Sequence, residues 1–269
     1  MKRIAVGEGV ELAVQDLGDG PAVVLVPGMF LDHRIWDQQV RALTAAGFRV
    51  VCVDQRGHGA SDRPLTGYDV PRLADDILEV LAALDIRAAA LVGHSFAAQV
   101  AFRAAVRSPD RVERLVLVAS NAVGAGRTET FPFGVPAGDL LPGLVAAEQR
   151  DLIASRRANL AGSFVAPPPG DLFDWLLPMT LQTPSWAGIA CYRSLLETDQ
   201  TADLARVGMP VLQLNGQDDP VLSARGAQWV NRQLRRSTLV RLPGCGHYPM
   251  LEAADAATAE IIGFLKGEV

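Results

Sequence analysis

Cysteine and an excess of charge are both scarce in this chain, and each scarcity removes a class of function. Its 3 cysteines, Cys52, Cys191 and Cys245, are widely scattered and odd in number. That excludes a disulfide framework and a zinc-ligand spacing, and predicts free thiols in a reducing cytoplasm. With a formal net charge of -5 and 20% charged residues, the chain has no basic stripe of the kind nucleic acid demands, so DNA and RNA are excluded as partners. Long hydrophobic runs are missing too, which argues against a membrane span. Met1-Lys2-Arg3 is basic, but Ile4-Ala5-Val6 is too short for a signal segment and is broken by Gly7 and Glu8. A cytoplasmic protein with no membrane partner is expected. Internal repeats and low-complexity tracts are absent as well. What the chain has in abundance is hydrophobic residues, 49% of 269, enough to bury a large core in one domain carrying an insertion.

Those apolar residues follow two periods. Ala22 to Val26, Val50 to Val53, Ala88 to Val92, Leu115 to Ala119 and Val211 to Leu214 are short apolar runs, the pattern of parallel strands covered by helices on both faces. Val10 to Leu17 alternates loosely and stops at the turn-rich Gly18-Asp19-Gly20-Pro21. Between the runs lie helical periods. Val70, Leu73, Ile77, Val80, Leu81 and Leu84 share one stripe, with Asp75, Asp76 and Glu79 opposite, which predicts a surface helix over Val70 to Leu84. Ala97 to Val106, Val221 to Leu234 and Ala253 to Leu265 continue the alternation, and the fold class is α/β. The alternation stops near Asn121 and resumes near Pro210. Residues 121-202, rich in proline and aromatics, read as a helical insertion over the end of the sheet, which predicts a lid on a core of residues 1-120 and 203-269.

Leu91-Val92-Gly93-His94-Ser95-Phe96-Ala97 places a serine between an apolar run and a helix-patterned segment. In a strained strand-to-helix turn the hydroxyl stands clear of the backbone, and helix N-terminal amides lie close by to meet negative charge. Gly93 and Ala97 are small where such a turn leaves no room. A serine hydroxyl is too weak an acid to attack a carbonyl unaided, so it needs a base, and the base needs an orienting carboxylate. Of the 4 histidines, His33 follows the first buried strand, His58 sits in the turn Arg56-Gly57-His58-Gly59, and His94 adjoins the serine with its side chain directed away. His247, in Gly244-Cys245-Gly246-His247-Tyr248-Pro249 after the last strand, has the mobile loop a proton shuttle requires. For the carboxylate, Leu214-Asn215-Gly216-Gln217-Asp218-Asp219-Pro220 offers a neighbouring pair. Asp219, beside Pro220 where the next helix begins, is the better placed to point inward, leaving Asp218 as a solvated loop charge.

In the order Ser95, Asp219, His247, and in the spacing of strands, insertion and these residues, the chain resembles the α/β-hydrolase superfamily over essentially its full length. Two further motifs carry the resemblance. Asp54-Gln55-Arg56-Gly57-His58-Gly59-Ala60-Ser61-Asp62 is similar to the family's D-x-R-G-x-G-x-S turn, a structural bend whose charges organise the loop without touching substrate. Pro27-Gly28-Met29-Phe30 stands at the end of the third strand, where the family usually has His-Gly and donates one oxyanion amide. The resemblance therefore implies a mostly parallel, doubly wound sheet of about eight strands with a helical lid. It implies Ser95, Asp219 and His247 as catalytic residues, the backbone amides of Met29 and Phe96 as the oxyanion hole, and no metal or organic cofactor. The chain departs from the family at Pro27, which leaves the support of the oxyanion loop to be found elsewhere. It departs again at Ala97, whose methyl replaces the final elbow glycine and fits only if the elbow helix stands slightly further from its strand.

The branch it resembles contains bacterial esterases, enol-lactonases and cofactor-free haloperoxidases. That implies a serine hydrolase acting through an acyl-enzyme on a small or medium carboxylic ester or lactone, a small-molecule substrate with an apolar portion. Phe131, Phe133, Trp175, Met179 and Trp186 in the insertion suggest an apolar acyl or ring pocket, without assigning any one of them to substrate. The serine argues against relatives that attack epoxides or carbon-halogen bonds with an aspartate. The same fold also carries cofactor-free oxygenases, perhydrolases, lyases, carbon-carbon hydrolases and ligand receptors.

Overall fold

The computed structural model describes residues 1–268. Strands β1 (Lys2–Val6), β2 (Val10–Leu17), β3 (Ala22–Val26), β4 (Arg49–Val53), β5 (Ala89–His94), β6 (Val112–Val118), β7 (Val211–Gly216) and β8 (Ser237–Leu242) form one sheet of 8 strands in the order β1-β2-β4-β3-β5-β6-β7-β8. β1 pairs antiparallel with β2, and β2 with β4; every other pairing is parallel. The inner parallel strands, β3 to β7, carry the apolar runs, because helices cover both of their faces and leave no side of the pleat to water. β5 and β7 are buried along their whole length, whereas β8 at the edge is mostly half-exposed.

The helices are α1 (Asp37–Ala45), α2 (Val70–Ala83), α3 (Phe96–Arg107), α4 (Ala137–Arg150), α5 (Leu152–Ala161), α6 (Gly170–Thr180), α7 (Ser185–Glu197), α8 (Ala224–Gln233), α9 (Pro249–Glu252) and α10 (Ala254–Lys266). α2 buries Val70, Leu73, Ile77, Val80 and Leu81 against one face of the sheet, beside α3. The side chain of Asp69 caps its start by accepting from the Arg72 amide, and Pro71 sits in the first turn, where it costs no hydrogen bond. α1 and α10 close the other face through Leu43, Ile261 and Phe264. Helices α4 to α7 all fall between β6 and β7, inside the span marked out by the loss of alternation.

Some sequence expectations need correction. Asp76 does not face water with Asp75 and Glu79; it is buried, because Arg56 arrives from the β4–α2 connection and grips both its oxygens at 2.6 and 2.7 Å. The helix expected from Val221 begins at Ala224, because the amides of Val221 and Leu222 turn back to the Asp219 carboxylate before Ser223 caps the helix. The last expected helix, Ala253 to Leu265, is present as α10, beginning one residue later after the short α9. No described helix is long and apolar enough to cross a membrane. The three cysteines are buried and unbridged.

Candidate active site

β5 delivers Ser95 to the centre of the sheet's C-terminal edge, and α3 leaves immediately after it. The turn between them is forced. Ser95 has φ 53° and ψ -119°, a conformation that L-residues avoid, and its amide is anchored to the Val118 carbonyl at 2.8 Å. A Cβ on Gly93 would lie 2.5 Å from the Ala97 carbonyl oxygen and 2.7 Å from the Ala98 Cα, both backbone atoms, so only glycine lets helix and strand approach this closely. Ala97 itself is fully buried in the core below the turn.

His247 reaches the serine from the loop after β8, and Asp219 reaches His247 from the loop after β7. The His247 Nε2 is 2.8 Å from Ser95 Oγ, and its Nδ1 is 2.9 Å from Asp219 Oδ2. The second oxygen of Asp219 accepts from the amides of Val221 and Leu222 at 2.8 and 3.0 Å. Burial by itself would raise the Asp219 carboxyl; the charge and hydrogen bond of His247 and those amides outweigh it and hold the group below the usual carboxylate range. Asp218 points the other way, exposed, and accepts from the Gly244 amide at 3.0 Å. Gly216 brings the two loops together: a Cβ there would lie 2.1 Å from the Gly246 carbonyl oxygen.

His94, next to the serine, serves the loop that carries His247. Its Nε2 donates to the His247 carbonyl at 2.9 Å. Burial, together with the neighbouring His247, pulls its pKa down to about 3, so it stays neutral and holds this one tautomer. The sequence reading had sent its side chain away from the serine without giving it this task. It also missed Glu252, whose carboxylate accepts from the amides on either side of His247, Gly246 at 3.1 Å and Tyr248 at 2.9 Å. The amide of His247 itself goes to the Ser163 carbonyl at 3.0 Å. A glutamate five positions after a loop histidine is the only trace of this arrangement in the sequence.

The other histidines lie elsewhere. His33 meets Asp54 through Nδ1 at 3.0 Å, and His58 is buried against the Arg56 carbonyl at 2.9 Å, where burial pulls its pKa down to about 4. The Asp54 to Asp62 turn is held by its own charges: Asp54 accepts from the His33 and Ala60 amides, while Arg56 spans Asp76 and Glu8. None of its residues lines the cavity at Ser95.

That cavity measures about 380 Å³. Ser95, His247, His94 and Met29 form its floor, and Leu140, Leu144, Leu195, Leu196, Tyr192 and Val221 are among its walls. Phe96 begins α3, so its amide lacks an intrahelical acceptor and belongs to the helix's positive end. The insertion residues Phe131, Phe133, Trp175, Met179 and Trp186, whose content suggested an apolar pocket, do not line this one. Phe131 packs with Phe133 and Trp229, Met179 is in the core, and Trp175 and Trp186 are partly exposed, Trp186 donating to the Pro64 carbonyl. α4 and α7 give the wall its leucines, and Phe30, Tyr192 and Tyr248 are its aromatic members.

Comparison with known proteins finds relatives of the chain as a whole. The family described as alpha/beta hydrolase fold is matched over residues 21–254. A non-heme chloroperoxidase of Streptomyces lividans is 31% identical, covering 99% of this chain and 100% of its own. A pimeloyl-[acyl-carrier protein] methyl ester esterase of Nitrosomonas europaea is 32% identical over 88% of this chain and 93% of its own. Among solved structures, an esterase from Exiguobacterium antarcticum superposes with a TM-score of 0.94 at 24% identity, covering 98% of both chains, a likeness of fold.

Proposed function

The chain belongs to the alpha/beta hydrolase fold family, and from that membership we propose that it is a serine hydrolase cleaving small or medium carboxylic esters or lactones through an acyl-enzyme, with residues 121-202 as its lid. The observation that carries the reading is the hydrogen-bonded series Ser95–His247–Asp219 built on a strained serine.

Each group has one task. As Ser95 Oγ attacks the carbonyl carbon, its proton passes to His247 Nε2; Asp219 accepts from Nδ1, fixing the ring and stabilising the imidazolium. The carbonyl oxygen, now anionic, is met by the amides of Met29 and Phe96, each such donor being worth about 2.7–4 kcal/mol. The intermediate collapses and His247 returns its proton to the leaving alkoxide, which in a lactone stays tethered to the acyl group. Water then adds to the acyl carbon, gives its proton to His247, and Ser95 recovers a proton as the acid leaves. The apolar walls of the cavity favour an apolar acyl portion over a charged one.

The test is turnover of p-nitrophenyl butyrate by the native protein and Ser95→Ala, with intact mass recorded after acid quenching. The reading expects turnover in the native protein alone and a butyryl adduct that maps to Ser95. Undiminished turnover by Ser95→Ala would contradict it.

A further inference from the structure

Phe30 follows Met29 in the oxyanion loop and has φ 69°, the left-handed region that an aromatic residue rarely adopts. The backbone around it is tethered at several points. The Pro27 carbonyl accepts from Gln55 Nε2 at 3.0 Å, the Leu31 amide closes a turn onto the Gly28 carbonyl at 3.2 Å, and the His33 amide donates to Asp54 at 2.8 Å. None of these holds the peptide between Gly28 and Phe30 from above.

The ring of Phe30 supplies that hold. The guanidinium carbon of Arg156, on α5, lies 3.5 Å from its centroid, and Tyr192, on α7, meets it edge-on at 5.3 Å. Arg156 cannot wander. Both it and Glu148 on α4 have fully buried side chains; Nε lies 3.0 and 3.1 Å from the two Glu148 oxygens, Nη2 also pairs with Glu148, and the carbonyls of Thr180 and Thr183 take further hydrogens. A Cβ on Gly188 would stand 2.6 Å from Arg156 Nη2 and 2.9 Å from Phe30 Cε1, so the close fit of α7 here requires glycine. A planar guanidinium removed from water stacks on an aromatic face more strongly than it would at the surface, and a lysine could not reproduce both the fork and the stack.

We propose that Arg156 is a positioning residue: locked by Glu148, it clamps the Phe30 ring and thereby aims the Met29 amide at the oxyanion, tying the oxyanion hole to the helical insertion. The inference rests on the reading of Met29 as an oxyanion donor. It supplies the support that Pro27, standing where the family usually has histidine, leaves unassigned.

Removing one partner of a buried ion pair leaves an uncompensated charge, whereas replacing both with apolar residues is often tolerated. The test therefore uses Phe30→Leu, which keeps the pair, and the double variant Glu148→Leu/Arg156→Leu, which removes it whole without adding a methionine. Protein labelled with [15N]methionine reports on Met29 directly, its resonance identified by Met29→Leu, with Met209, just before β7 at the opposite end of the sheet, as the internal control. In both variants the Met29 resonance should shift or broaden while that of Met209 stays in place. With p-nitrophenyl butyrate, kcat should fall at least about tenfold, and by no more than the roughly 10²–10³-fold expected for losing the donor, at a KM little changed. An unmoved Met29 resonance in both variants would overturn the clamp whatever the activity. So would a rise in KM at constant kcat, which would make Phe30 merely a wall. A native protein inert to esters whose Met29 resonance nevertheless moves in the variants would remove the hydrolase reading and leave the clamp standing.

Discussion

Asp219 is buried and still carries its charge, because every oxygen is occupied: one by His247, the other by the Val221 and Leu222 amides. Asp219→Asn separates these duties. The amide oxygen can go on accepting from Val221 and Leu222, so the turn should survive, while the charge opposite His247 and the preferred ring tautomer are lost. A fall in kcat on the order of 10⁴, with an unchanged melting temperature, is the expected result. A decline of only a few-fold would mean that His247 does not depend on this carboxylate. At this scale the sequence was informative where chain order speaks. Ser95, Asp219 and His247 announce themselves by the element each one follows, and Asp219 could be preferred to Asp218 through its place before Pro220. The tasks of His94 and Glu252 were not legible, since each depends on where a loop carbonyl or amide ends up in space. Asp76 was misjudged for a similar reason: helical periodicity describes one helix, and the Arg56 that buries Asp76 belongs to another segment.

Among the elements, β3 to β7 and helices α2, α3, α8 and α10 could be read from apolar period, because burial on both faces of a parallel sheet writes an unbroken hydrophobic run. β1, β8 and α1 went unread, the two edge strands being partly exposed and carrying no such run. Helix starts were read less well wherever a side chain captured the first amides, as at Asp219. The insertion was recognisable by its break in alternation, but not which of its residues meet substrate. The content of the insertion suggested an apolar pocket without singling out a residue, and Trp175 and Trp186 lie away from a cavity to which α4 and α7 contribute Leu140, Leu144, Leu195 and Leu196. Selectivity should follow the wall. Leu144→Trp, which fills the cavity, should lower kcat/KM for octanoate esters relative to acetate by about tenfold or more, given the 1–3 kcal/mol that one misfitted methylene is worth. Trp186→Ala should leave that ratio unchanged. Equal effects of both substitutions on acyl-chain preference would contradict this assignment of the wall.

For the molecule as a whole, two buried histidines set an acid limit. His94 and His58 are held neutral, with pKa values of about 3 and about 4, chiefly by burial. In the unfolded chain both would take up a proton near the ordinary histidine value of about 6.5. Below that value the unfolded state binds more protons than the folded one, so stability is full above it and declines as pH falls towards 4 and then 3. Each histidine contributes a slope of at most about 1.4 kcal/mol per pH unit in that window. Urea denaturation at pH 7 and pH 5 should therefore show a marked loss at the lower pH, and His58→Gln should reduce the loss. A pH 7 to pH 5 loss that His58→Gln leaves unchanged would show that His58 titrates normally in the folded protein, since His33, raised by Asp54, acts in the opposite direction and can mask the total.

The central claim is that this fold raises one serine out of its hydroxyls as a nucleophile, with His247 as its base. Intact-protein mass after exposure to a fluorophosphonate tests it most directly, with Ser95→Ala and His247→Ala measured alongside the native chain. The account predicts a single adduct on the native protein that maps to Ser95, none on Ser95→Ala, and labelling of His247→Ala slowed to near the rate of an ordinary serine. A well-folded native protein that takes no adduct, or an adduct that maps to another residue, would contradict it.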